Sequence, residues 1–214
     1  MDLQFFSKHL ISGCIPELAM VAIYFILLHL IGKKQTKGHI ITSFVFCFYL
    51  LGLLTTTGIC IRACFSPRVS YIPFVDMIRG PVDTVLNIIL FIPMGFFLPL
   101  LYKKFDKIGK VVLAGFLISL FVEIVQLFGY GATDINDLIT NTIGTCVGFG
   151  IFRLFCKVIP EAWIKQVRID GNQCYYELLI LWICSVLLMI TIQPSICNAL
   201  FPTGINSGEI QEWN

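Results

Sequence analysis

Asp83 and Asn87 stand four residues apart, Glu123 and Gln126 three apart, and Asp134, Asn136 and Asp137 crowd one short stretch that is followed a helical turn later by Asn141. Helical residues three or four apart share a face, roughly 40–60° apart around the axis, so each set can present its oxygens and amides together. Such a constellation can hydrogen-bond a polar ligand, move a proton through Glu123 as acid or base, or bind a hard cation through oxygen ligands. Mg²⁺ or Ca²⁺ is only weakly signalled, because Asp134-Ile135-Asn136-Asp137-Leu138 lacks the alternation, central glycine and terminal glutamate of an EF-hand loop. No cofactor and no metal site is therefore assigned. His9, His29 and His39 lie in the first apolar stretch or its flanks, which argues against a zinc hydrolase or a Ser-His-Asp site.

A purely structural reading competes with the chemical one. Asn87, Gln126 and Asn141 could be interhelical hydrogen-bond glue, worth about 0.6–2 kcal/mol each, and Gly144 and Gly148 a small-residue packing seam. Asp134 and Asp137 could serve as helix caps. Glu123 resists that reading most, since an ionised carboxylate within an apolar run costs a few kcal/mol unless it is paired, protonated, metal-bound or wet.

The elements that must position these residues are membrane spans. The 214-residue chain is 57% hydrophobic and only 13% charged, against roughly 45–50% and about 25% for soluble domains, which excludes a soluble globular enzyme. Apolar windows predict an all-α, polytopic transmembrane helix bundle of about six spans, near 15–31, 40–60, 82–101, 111–128, 138–155 and 178–192. The first has no cleavage site and little preceding positive charge, so it reads as a retained span rather than a signal peptide. Eleven of the fifteen Lys and Arg residues fall in the first, third and fifth connections, and the positive-inside bias places these in the cytoplasm and both termini outside. Nucleic-acid binding has no support in this distribution.

With that topology the third span enters from outside, the fourth ends there and the fifth begins there, so Asp83, Asn87, Glu123, Gln126, Asp134, Asp137 and Asn141 converge at one depth. The connection from Arg62 to Pro81 mixes prolines and aromatics with Arg68, Pro73, Phe74 and Arg79, and reads as an interfacial or re-entrant lid over them. Pro93 and Pro99 are expected to kink the third span. Cys60 and Cys64 are close enough for a dispensable disulfide, and the remaining cysteines form no CxxC or metal spacing. A short interfacial helix around Trp163 and a turn at Asp170-Gly171-Asn172 precede the sixth span, and the C-terminal tail is polar. The organisation is thus 1–61, two N-terminal spans; 62–156, three spans with the lid segment; and 157–214, a cytoplasmic connector, the sixth span and an outer tail. No internal repeat supports a transporter built from inverted halves.

Four ordered pieces carry a family resemblance: Ile72-Pro73-Phe74, Asp83 to Phe96, Ser119 to Gln126, and Asp134 to Gly148. Together, over roughly 68–152, they resemble the VanZ-like family, named for an accessory protein of teicoplanin resistance in Gram-positive bacteria. The resemblance implies a multi-pass protein of the bacterial plasma membrane, linked in some members to reduced lipoglycopeptide susceptibility without a change to the peptidoglycan precursor. It implies no particular reaction. Ser70 and Tyr71 stand where the family usually has Asn and Leu, and Ala132 where an Arg is common. A charge-pairing site would then draw on Arg68, Arg79, a cation or protonation. The leading expectation is an envelope factor whose outward polar pocket engages membrane lipids, a cell-wall lipid intermediate or a lipoglycopeptide. The alternative is a membrane-embedded, metal-assisted enzyme acting on a lipid or polyprenyl phosphate, and a third reading is a small transport or assembly subunit, weakened by the scarcity of polar residues in the inner halves of the spans.

Overall fold

The computed structural model describes residues 3–57, 69–70, 81–126 and 133–202. The chain forms α1 (Leu3–Leu30), α2 (Lys37–Thr56), β1 (Val69–Ser70), α3 (Pro81–Leu101), a 3₁₀ turn (Lys103–Phe105), α4 (Ile108–Gln126), β2 (Thr133–Asp134), α5 (Ile135–Val158), α6 (Glu161–Val167), α7 (Gln173–Thr191) and α8 (Gln193–Leu200). Six of these, α1 to α5 and α7, are long and apolar enough to cross a membrane. The protein is a multi-pass helical bundle.

The ends of the helices follow their local chemistry. After α1, Gly32 takes φ 82° and the amides of Gly32 and Lys33 bond back to His29 and Leu28 at 3.0 and 2.9 Å, the paired 5→2 and 6→1 bonds of a Schellman stop. Thr36 then caps α2, its side chain accepting the His39 amide at 3.2 Å. Proline opens α3 at its first position, where no amide partner is needed. The helix continues through Pro93 and Pro99. Pro93 leaves the Ile89 carbonyl without an amide, and Tyr49 reaches across from α2 to donate to the neighbouring Leu90 carbonyl at 2.9 Å.

Gly95, Gly144 and Gly148 draw α3 and α5 together. A Cβ on Gly95 would collide with the Thr145 carbonyl, one on Gly144 with the Ile88 carbonyl, and one on Gly148 with the Ile92 carbonyl. These obstacles are backbone, which cannot rotate away. Helices thus meet at backbone distance, as small residues permit in lipid, where apolar burial supplies no force between spans. At the lysine-rich end, Lys103 N donates to Ile169 O at 3.0 Å and Ile169 N to Leu101 O at 2.9 Å, fastening the end of α3 to the connector before α7.

Several expected boundaries differ: α1 begins at Leu3, twelve residues before the expected first span, and α2 ends at Thr56 rather than near 60. The sixth span begins at Gln173, five residues before the predicted start, which brings Glu177 into the bundle. The polar tail after it contains a further helix, α8, because Pro194 in its first turn restarts the helix after Ile192.

Candidate polar site at one end of the bundle

Polar side chains on α3, α4 and α5 meet at the end opposite the lysine-rich connections. Ser119, Glu123 and Gln126 form one stripe on α4, spaced by four and three residues. Asp137, Asn141, Gly144 and Gly148 form another on α5, so the same helix face is polar at its start and small beyond it. Between the stripes, Asn141 Nδ2 donates to Ser119 Oγ at 2.9 Å, and from α3 Asn87 Nδ2 donates to Asp137 Oδ1 at 2.6 Å. Gln126 Nε2 donates to the Thr57 carbonyl at 2.9 Å, tying the end of α4 to the end of α2.

Asp134 joins three structures. Its side chain caps α5, accepting from Asn136 N at 2.9 Å and Asn136 Nδ2 at 2.8 Å. Its own amide donates to Glu123 Oε2 at 3.0 Å. It also lies in β2, which pairs in parallel with β1 in the register Val69↔Thr133 and Ser70↔Asp134. Glu123 is 4% exposed, whereas Asp83, in the first turn of α3, is exposed and suits the positive end of the helix dipole. The Oδ1 of Asn141 and the Oε1 of Gln126 are buried without a hydrogen-bond partner among the described residues. Arg68, Pro73, Phe74 and Arg79, like Cys60 and Cys64, lie outside the described residues. Among the described residues, no three His, Cys, Asp or Glu side chains come together in a way that could hold a metal ion.

Chemically, this end offers carboxyl oxygens, fixed amides, and a strand pairing that sets Ser70 of β1 opposite Asp134, whose amide bonds Glu123. The profile of the VanZ/LLP1 family matches residues 17–156. The chain belongs to the VanZ/LLP1 family. Protein VanZ of Enterococcus faecium is 37% identical over 88 residues, a stretch covering 41% of this chain and 54% of the relative. This chain therefore aligns with only about half the length of that curated relative. No solved structure matches the chain. The VanZ/LLP1 match reaches further than the four motifs at 68–152, taking in α2 and the second half of α1, whose near-continuous apolar sequence offers little to recognise by eye.

A second polar cluster lies at the lysine-rich end, where the spans carry few polar residues in sequence. His39 and Glu177 are both fully buried, with His39 Nε2 2.7 Å from Glu177 Oε1. The ring's Nδ1 lies 2.7 Å from the Val167 carbonyl, which can only accept, so Nδ1 carries a proton. Tyr102 donates to Glu177 Oε1 and Tyr24 to Oε2, each at 3.2 Å. Four elements thus converge on one carboxyl group. Glu17, 1% exposed, accepts from Ser185 Oγ at 2.6 Å between α1 and α7. The cost of a carboxylate in an apolar run applied to Glu17 as much as to Glu123, and could have flagged it. Glu177 gives no such signal, because it precedes the apolar window of the sixth span and lies within the first turns of α7.

Proposed function

We propose that this VanZ/LLP1 member is an envelope factor affecting susceptibility to glycopeptide or lipoglycopeptide antibiotics. Its polar end would engage the headgroup of a cell-wall lipid intermediate or the antibiotic itself. The observation that carries the reading is the position of Glu123: a buried carboxylate on a membrane-spanning helix, held by the Asp134 amide at the point where β1 joins β2. Packing alone has little use for a carboxylate there, since a glutamine would satisfy the same amide without the cost of burying charge. The lysine distribution supports an outward orientation for this end, and similarity to Protein VanZ supports the envelope setting.

Substitution at Glu123 separates a binding role from a packing role. Glu123→Gln keeps the shape and the acceptor for Asp134 N, so the protein is expected to reach the membrane at wild-type level and with unchanged thermal stability. Teicoplanin susceptibility of cells relying on this protein should nevertheless match that of cells lacking it. If Glu123→Gln retains full phenotype while Glu123→Ala merely lowers stability, the cluster is packing and the reading fails.

A further inference from the structure

The geometry points to a binding groove for one acyl chain of an anionic phospholipid, between α4 and α7 and distinct from the polar end. These two helices both start at the lysine-rich end, α4 packing on α5 and α7 on α2, with a lateral cavity of about 630 Å³ left between them. Its floor is Ile118, Leu178, Trp182 and Val186, each 5–9% exposed. On α7 the lining runs from Tyr175 to Leu187, about 18 Å at ~1.5 Å per residue. That is close to half of a hydrocarbon core about 30 Å thick. The cavity therefore has the length of one leaflet and the apolar lining an acyl chain requires.

The mouth selects charge. Lys110 stands one turn before Ala114, which lines the groove, and its Nζ donates to the hydroxyl of Tyr175, another lining residue, at 3.2 Å. Lys107 precedes it, its carbonyl accepting the amides of Lys110 and Val111. Acidic groups at this end are already engaged: Asp106 faces Arg153 at 3.7 Å and Arg168 at 3.6 Å, and Asp170 pairs with Lys103 at 3.0 Å. The Lys103 hydrogen bond holds the Asp170 carboxyl below its usual range. No ion pair forms at Lys104, Lys107 or Lys110 among the described residues. Neither α4 nor α7 has an acidic residue in its first turn, so two positive helix ends add to the lysines. A phosphate at the rim would complement all of these, with its acyl chain descending between the helices.

Trp182 is a built-in reporter, because it lies in the groove floor at 8% exposure. The full chain carrying Trp163→Phe and Trp213→Phe would be reconstituted in phosphatidylcholine vesicles containing either brominated-acyl phosphatidylglycerol or brominated-acyl phosphatidylcholine. Half-maximal quenching of Trp182 is expected at a mole fraction at least threefold lower for the anionic lipid. The exposed pair Lys107→Gln and Lys110→Gln should bring the two lipids to parity, as should salt high enough to screen the rim. Ala114→Phe, which fills the groove and leaves the rim intact, should weaken quenching by both. Equal quenching by both lipids in the starting protein would indicate only the general lipid annulus. A preference surviving the lysine substitutions, or a Trp182 shielded from both lipids by a second copy or another helix, would also overturn the proposal.

Discussion

At the residue scale, the buried carboxyl groups of Glu123 and Glu177 differ in how far their partners lie along the chain. Glu123 and its donor Asp134 are eleven residues apart, within one helical hairpin, so span direction and spacing were enough to bring them together. His39 and Glu177 are 138 residues apart, and no periodicity in a single sequence relates them. Their burial predicts a large penalty for breaking the set. Glu177→Ala would leave the Tyr24 and Tyr102 hydroxyls without their acceptor and the buried His39 ring without its carboxyl partner. We expect a loss of about 3–5 kcal/mol, the cost of removing one member of a buried pair, read as a fall in the thermal midpoint in detergent. Glu177→Gln, which keeps an acceptor for the tyrosines, should lose less.

At the element scale, the hydrophobic windows located all six spans, because roughly 20 apolar residues are needed to cross a bilayer and little else in a short chain is that long. The smaller helices were less legible. The interfacial turn around Trp163 appears as α6, while α8 was hidden in a stretch too polar to stand out and too short to be periodic. The stripe of Gly144 and Gly148 was visible as spacing, but its partner, the α3 backbone beside Ile88 and Ile92, was not. Gly148→Ala forces a methyl group against a carbonyl with no freedom to yield, and should destabilise the protein by about 1–3 kcal/mol, as overpacking does. Gly150→Ala, where nothing lies within 4 Å, should be neutral or slightly stabilising. Paired thermal melts of the two variants would test whether close approach of α3 and α5, rather than helix propensity, governs the difference.

At the scale of the whole molecule, the bundle has a lysine-rich end and a carboxylate-bearing end, and the charge asymmetry sets the expected orientation. Reporter fusions should place both termini and the segment between α2 and α3 outside the cell. A cytoplasmic signal from fusions between residues 66 and 78 would reverse the molecule and carry the polar cluster to the other face. Sequence could supply this polarity because lysine counts do not depend on tertiary contact. It could not show that the first, second and last spans are joined through the carboxyl group of Glu177.

That junction puts a clock on the birth of the protein. His39 leaves the ribosome 138 residues ahead of Glu177, and at about 5–20 residues per second this is an interval of roughly 7–28 s. Throughout it, the imidazole of α2 and the hydroxyl of Tyr24 are already synthesised, joined for the last 75 residues by the hydroxyl of Tyr102, with no Glu177 carboxylate to receive them. The α3–α5 glycine seam can close without α7, but the His39 side of the bundle lacks its carboxyl partner until α7 arrives. A chain released early would carry that unfinished pocket into the bilayer, where its unmet polar groups would mark it as incomplete.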